Sequence, residues 1–257
     1  LVVRSGRRIV VTAAGDRVVS AARGVLRAVR DLHLHAMERT FGGDLRLGAN
    51  VTAMTSFVPE IMAAIAPRYP SLNIEAIPGD SGDIYAQVLS GDLDAAILVK
   101  PDFPVAKNCR FTLLRKEPLV VIAPALLPGS NPLDLLRTQP FIRLSPGNVG
   151  GRLADRYLRR MGIRPETRFE LTSLAAIAVA VDRGLGVALV PDWRPPWPGG
   201  ISLRKLPVPR GDGDRHIGLL WMHGAVREPL IAIVREAAVS CEAALSRSGD
   251  RRRKRQP

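Results

Sequence analysis

Cysteine is nearly absent from this chain of 257 residues, with Cys109 and Cys241 the only two. Two thiols so far apart give no disulfide framework, and no metal-ligand spacing accompanies them, which points to a reducing, cytoplasmic setting. Long apolar runs are missing too. None approaches the roughly 18 to 20 residues that span a bilayer, and no basic stretch followed by an apolar one marks a signal peptide. No membrane partner is therefore expected. Histidine is sparse: of the four, His33 and His35 are two apart on a helical pattern and face different ways, a poor metal pair. No G-x-S-x-G elbow, H-E-x-x-H pair or phosphate-binding loop occurs. SPGNVGG (145–151) is glycine-rich, but it lacks the lysine of a phosphate loop and the G-x-G-x-x-G spacing. These absences argue against an enzyme and against a metal or bound cofactor.

Acidic residues are also short, 24 against 37 Lys and Arg, for a net charge of +13. Residues 1–43 hold eight Arg against Asp16, Asp31 and Glu38, and the last eleven residues hold six basic groups against Asp250. The excess therefore sits at the two ends of a nearly balanced body, a distribution suited to a polyanion such as nucleic acid. A solvated, disordered tail explains the final RRRKRQP equally well.

What is present is regular. Val2-Val3 and Ile9-Val10-Val11 are β-branched runs around Ser5-Gly6, the pattern of a hairpin. Thr12 follows with the chemistry of a helix N-cap. Val18, Ala22, Val25, Val29, Leu32 and Ala36 then recur at spacings of 4, 3, 4, 3 and 4, a heptad seam that calls for a partner helix. Gly42-Gly43 marks its end. From there strands alternate with helices. LRLGA, NIEAIP and DAAILV form one set within about 44–115. PLVVIAP, PFIRL, TRFEL and GVALVP form a second within 117–210, before HIGLLWM and a last helix near 227–245. Such alternation predicts parallel sheets with crossover helices, an α/β architecture in two units.

The residues resemble the LysR-type transcriptional regulators. LVVRSGRRIVVTAAG is similar to that family's wing and linker start, keeping Leu1, Arg4, Arg8, Thr12, Ala14 and Gly15. Gly48, Pro59, Tyr69-Pro70 and Gly91 with Leu93-Asp94 match the first half of its effector domain, and VDRGLGVALVP (181–191) matches its second. The resemblance implies a cytoplasmic DNA-binding regulator that senses a small molecule between two Rossmann-like subdomains of the type 2 periplasmic-binding-protein fold. It implies a wing remnant over 1–12, a linker and dimerisation helix over 13–43 and a basic disordered tail over 246–257. Subdomain I takes 44–116 with 214–245, and subdomain II takes 117–213. The helix-turn-helix expected before the wing is not in this sequence, so DNA would be read only together with it. Arg4, Arg7 and Arg8 fall on the wing and would meet the DNA backbone. Val18, Ala22, Val25, Val29 and Leu32 would pair two copies, and dimers could pair again into tetramers.

Ligands of open α/β sheets bind beyond the carboxyl ends of the strands. Those ends carry Asn50 and Thr52, Ser81, Ser145 and Asn148, and Thr172 with Ser173. Under the family resemblance they are effector contacts, and an organic anion is one candidate effector. Capping a helix accounts for each of them just as well. A second class stays open, a two-lobed solute-binding protein with no role at DNA.

Overall fold

Within the first α/β unit, β3 (Gly43–Ala49), β4 (Leu72–Pro78) and β5 (Ala95–Val99) pair in parallel, as their alternation with helices predicts. All five residues of β5 are buried, the mark of a strand covered on both faces. The computed structural model describes residues 1–6, 8–15, 17–19, 22, 25, 29, 42–209 and 213–253, with side chains of the last helix as far as 245.

Two further strands complete this sheet, β12 (Arg215–Met222) and β6 (Cys109–Glu117), giving the order β4-β3-β5-β12-β6. In the second unit β7 (Leu119–Pro124) lies between β10 (Ala188–Pro191) and β11 (Leu203–Pro207). β8 (Phe141–Leu144) pairs in parallel with β9 (Thr167–Leu171). A parallel bridge between Phe141 and Val187 and the bond from Ile142 N–H to Val187 O (2.9 Å) join the two pieces. The second sheet thus reads β9-β8-β10-β7-β11, the same order as the first.

The sheets are mixed, which corrects the expectation of parallel ones. β12 runs antiparallel to β5 and β6, and β7 antiparallel to β10 and β11. The reason is connectivity. Each antiparallel strand is a guest that enters from the other unit, β7 directly after β6 and β12 directly after β11. The chain therefore crosses twice, at 117–119 and between 207 and 215. The edge strands β6 and β11 are absent from the sequence reading because Arg and Lys interrupt their apolar pattern.

Helices cover both faces of both sheets. α1 (Val51–Ser56), α2 (Val58–Ile65) and α7 (Glu228–Arg253) bury Ile61, Ile65 and Val234 against Leu45, Ile97 and Leu219. α3 (Ser81–Leu89) covers the opposite face with Ile84 and Val88. On the second sheet α4 (Pro132–Thr138) and α5 (Val149–Arg160) pack on one face and α6 (Leu174–Asp182) on the other. Each fully buried Leu or Ile contributes about 1.5–3 kcal/mol by leaving water. The helical stretch after β3 is not continuous: it breaks at Phe57, which closes α1 and precedes Pro59 at the start of α2. The last helix continues to Arg253, beyond Ser246 where a disordered tail was expected, and residues 254–257 lie outside the described ones.

At the other end β1 (Val2–Ser5) and β2 (Arg8–Val11) form the expected hairpin, with Gly6 at φ 61° in its turn. Thr12 caps the next helix. Its hydroxyl accepts from Gly15 N–H (3.1 Å) and donates to Leu1 O (3.0 Å). Val18, Ala22, Val25 and Val29 are helical, whereas Arg7, Leu32, His33 and His35 lie outside the described residues.

Candidate functional site

The carboxyl ends of β3, β4 and β5 form one rim of the first sheet. Asn50 follows β3. Its backbone N–H donates to Ile97 O (3.0 Å), and its side chain caps α1 by accepting from Ala53 N–H (2.8 Å). Thr52 donates its hydroxyl to the same Asn50 oxygen (3.1 Å). Ser81, following β4, accepts from Val99 N–H at the end of β5 (3.2 Å). The Asn50, Thr52 and Ser81 stretches therefore sit at the same edge, tied through β5.

The second sheet has the matching rim. Ser145 N–H donates to Leu171 O (2.9 Å), which places the end of β8 beside Thr172 and Ser173 after β9. Asn148 caps α5 by accepting from Gly151 N–H (2.9 Å), and Ser173 caps α6 by accepting from Ala176 N–H (3.3 Å). Gly151 cannot be larger. A Cβ there would stand 1.9 Å from Ser145 O, so the 145–148 turn folds directly onto the helix.

Two contacts bring the rims face to face. Arg152 on α5 pairs with Asp102, just beyond β5, at 3.0 and 3.1 Å, while its Nη1 holds Pro146 O and Gly147 O. Val149, the first residue of α5, packs against the core of the first unit. Arg143 on β8 is turned away to Asp155 (2.5 Å) and Glu170 (3.7 Å). A cavity of about 180 Å³ lies away from the rims, lined by Arg143, Asp155, Arg159 and Thr167 among others, within the second unit.

Sequence reasoning missed the charge at the cleft floor. Arg215 Nη2 lies 3.4 Å from Thr52 Oγ1, although 163 residues separate them. It reaches there because β12 starts at the second crossing, beside the first. Glu117 on β6 holds Arg215 through Nε (2.6 Å) and Nη2 (2.5 Å). Burial pushes the Glu117 carboxyl up from its ordinary pKa, against the pull of Arg215, the Arg194 backbone N–H and Arg115. Only the covalent return of the chain through the hinge places these groups together, and no local motif records it.

Two α/β units with one strand order, joined by two strand crossings and facing each other rim to rim, define a two-lobed binding domain of the type 2 periplasmic-binding-protein class. Residues 38–240 match the LysR substrate binding domain. The transcriptional activator IlvY of Salmonella typhimurium is 30% identical over 200 residues, which are 75% of this chain and 67% of that protein. The chain belongs to the LysR family, a family of transcriptional regulators and not of enzymes. Among solved structures, full-length OxyR from Pseudomonas aeruginosa superposes with a TM-score of 0.66 at 22% identity, over 92% of this chain and 79% of that one. The effector-binding domain of QuiR in complex with shikimate gives 0.65 at 18% identity, over 79% of this chain and 98% of that one. Family membership decides against a free-standing solute-binding protein.

Proposed function

We propose that this chain is the effector-sensing and dimerising part of a cytoplasmic LysR-type regulator, and that its effector binds between the two rims. The working division is the one the family suggests, with subdomain I over 44–116 and 214–245 and subdomain II over 117–213. The observation that carries the reading is the Arg152–Asp102 bridge, which joins the carboxyl edge of one sheet to the helix that begins at the carboxyl edge of the other. Asn50, Thr52 and Ser81 would contact the effector from one side, and Ser145, Asn148, Thr172 and Ser173 from the other. A small organic acid fits the hydroxyl and amide donors of this set, and the shikimate carried by the QuiR domain supports that class. The ligand shifts the lobes only by binding one arrangement better than another. Arg4 and Arg8 on the hairpin, with Arg7 next to Arg8 in the sequence, would meet DNA phosphates, which position a protein without reading sequence.

Sensing of peroxide, which a relative of the OxyR type binds in its solved structure, is not favoured. Cys109 is buried in the first core, and burial raises both thiols above their ordinary pKa, the wrong direction for a redox sensor.

The test is a thermal-shift screen of small organic acids on the whole chain. A ligand at 100 times its Kd stabilises by about 2.7 kcal/mol. Thr52→Ala and Ser173→Ala should each weaken the shift by the best acid. Full retention in both variants would place the effector elsewhere.

A further inference from the structure

Arg194 belongs to the second subdomain by chain and to the first by contact. It follows β10, and its neighbour Trp193 is buried in the second core, stacked on Trp197 with ring centroids 3.7 Å apart. Yet the Arg194 side chain is 1% exposed and lies inside the first subdomain. Its Nε donates to Glu242 on α7 (3.0 Å), and its Nη2 donates to Glu60 on α2 (2.5 Å). Nη1 donates to Ser56 O at the end of α1, and the guanidinium lies 4.5 Å over the Phe57 ring.

These contacts continue to the cleft. The Arg194 backbone N–H donates to Glu117 Oε1 (3.1 Å), while Glu117 Oε2 holds Arg215, whose Nη2 reaches Thr52. Arg115 closes the far side through Glu242 Oε1 (2.8 Å). Three Arg and three Glu from five segments of chain thus form one connected path from Thr52 to α7.

We propose that Arg194 is a latch between the subdomains, and that Glu117 and Arg215 are positioning residues that couple it to Thr52. The coupling half rests on the reading of Thr52 as an effector contact. A buried guanidinium is tolerable only while its carboxylates face it, so the latch is seated or released and not continuously adjustable. An effector group that donates to Thr52 Oγ1 competes with Arg215 for that oxygen. Through Glu117, it shifts the backbone on which Arg194 is mounted. Such a device turns occupancy of the cleft into a change in how the second subdomain sits on the helices α1, α2 and α7.

The experiment uses no effector. Spin labels at Lys107→Cys and Arg164→Cys, one on each subdomain, are placed in the full chain with Cys109 and Cys241 replaced by Ala. Pulsed electron resonance then reads the distance distribution. Arg194→Met keeps the stem over Phe57 and removes the charge, and should broaden a narrow distribution. Arg194→Lys should keep it narrower. Thr52→Val should move the distribution in the same sense as Arg194→Met, by a smaller amount. Glu242→Gln replaces Arg194→Met if the latter does not fold. An unchanged distribution in folded Arg194→Met or Glu242→Gln overturns the latch. An unchanged one in Thr52→Val alone overturns the coupling. Neither result bears on whether an acid binds the cleft, which the thermal-shift variants decide separately.

Discussion

Gly151 shows how far one atom matters at the rim. Its missing Cβ lets Ser145 O approach the helix, and Leu144 O would also stand 2.7 Å from an added carbon. These are backbone atoms, which cannot give way as a flexible side chain can. Gly151→Ala should therefore cost about 1–3 kcal/mol, the usual penalty of overpacking, read as a lower denaturation midpoint with an unchanged slope. The thiols make a second point at this scale. Burial raises Cys241 first, Glu60 raises it further, and Arg194 pulls it down. The thiolate is the reactive form, so a raised pKa leaves less of it at neutral pH. Alkylation of Cys241 should stay slow through the range where an ordinary thiol titrates, near about 8.5, and climb only above it. A profile centred at or below an ordinary thiol would contradict this.

Helices and strands divide into those the sequence announces and those it conceals. β5 and β7 read as strands because five successive apolar residues can be satisfied only by cover on both faces. α5 and α6 were legible from Asn148 and Ser173, whose caps are both formed. The same caps limit how much those residues can reveal about ligand binding, since the oxygen that would mark a site is already in use. Asn148→Ala should cost about 1 kcal/mol by loss of the cap alone, measurable in denaturant without any ligand. Thr52 caps nothing. Its hydroxyl serves Asn50 and Arg215, so Thr52→Ala should disturb stability less than Asn148→Ala does. β6 and β11 were hidden by their place at sheet edges, where one side of the strand faces water and Arg or Lys is at home. The ion path through Arg194 was hidden for a different reason. Apart from Arg115 and Glu117 on β6, its members are far apart in sequence, and the two crossings of the chain bring them together.

The molecule as a whole leaves its first residues without cover of their own. Val2, Val3, Ile9, Val10 and Val11 are all about half exposed or more on a two-stranded hairpin, which is marginal in water by itself. On the helix that follows, Val18, Val25 and Val29 are 47%, 63% and 49% exposed. These three lie on the heptad seam, and a stripe that repeats over several turns is stable only against another apolar stripe. A second copy of the same helix supplies one without any new sequence, and a two-fold pairing gives both copies the same contacts. Placing a carboxylate on that seam twice per chain sets like charges against each other in an apolar contact. If the seam pairs two copies, the parent chain should sediment as a dimer and the double variant Val18→Asp with Val25→Asp as a monomer at the same concentration, with its circular dichroism largely preserved. If the variant keeps the parent's mass, the copies meet through another surface, and the exposed valines need a different partner.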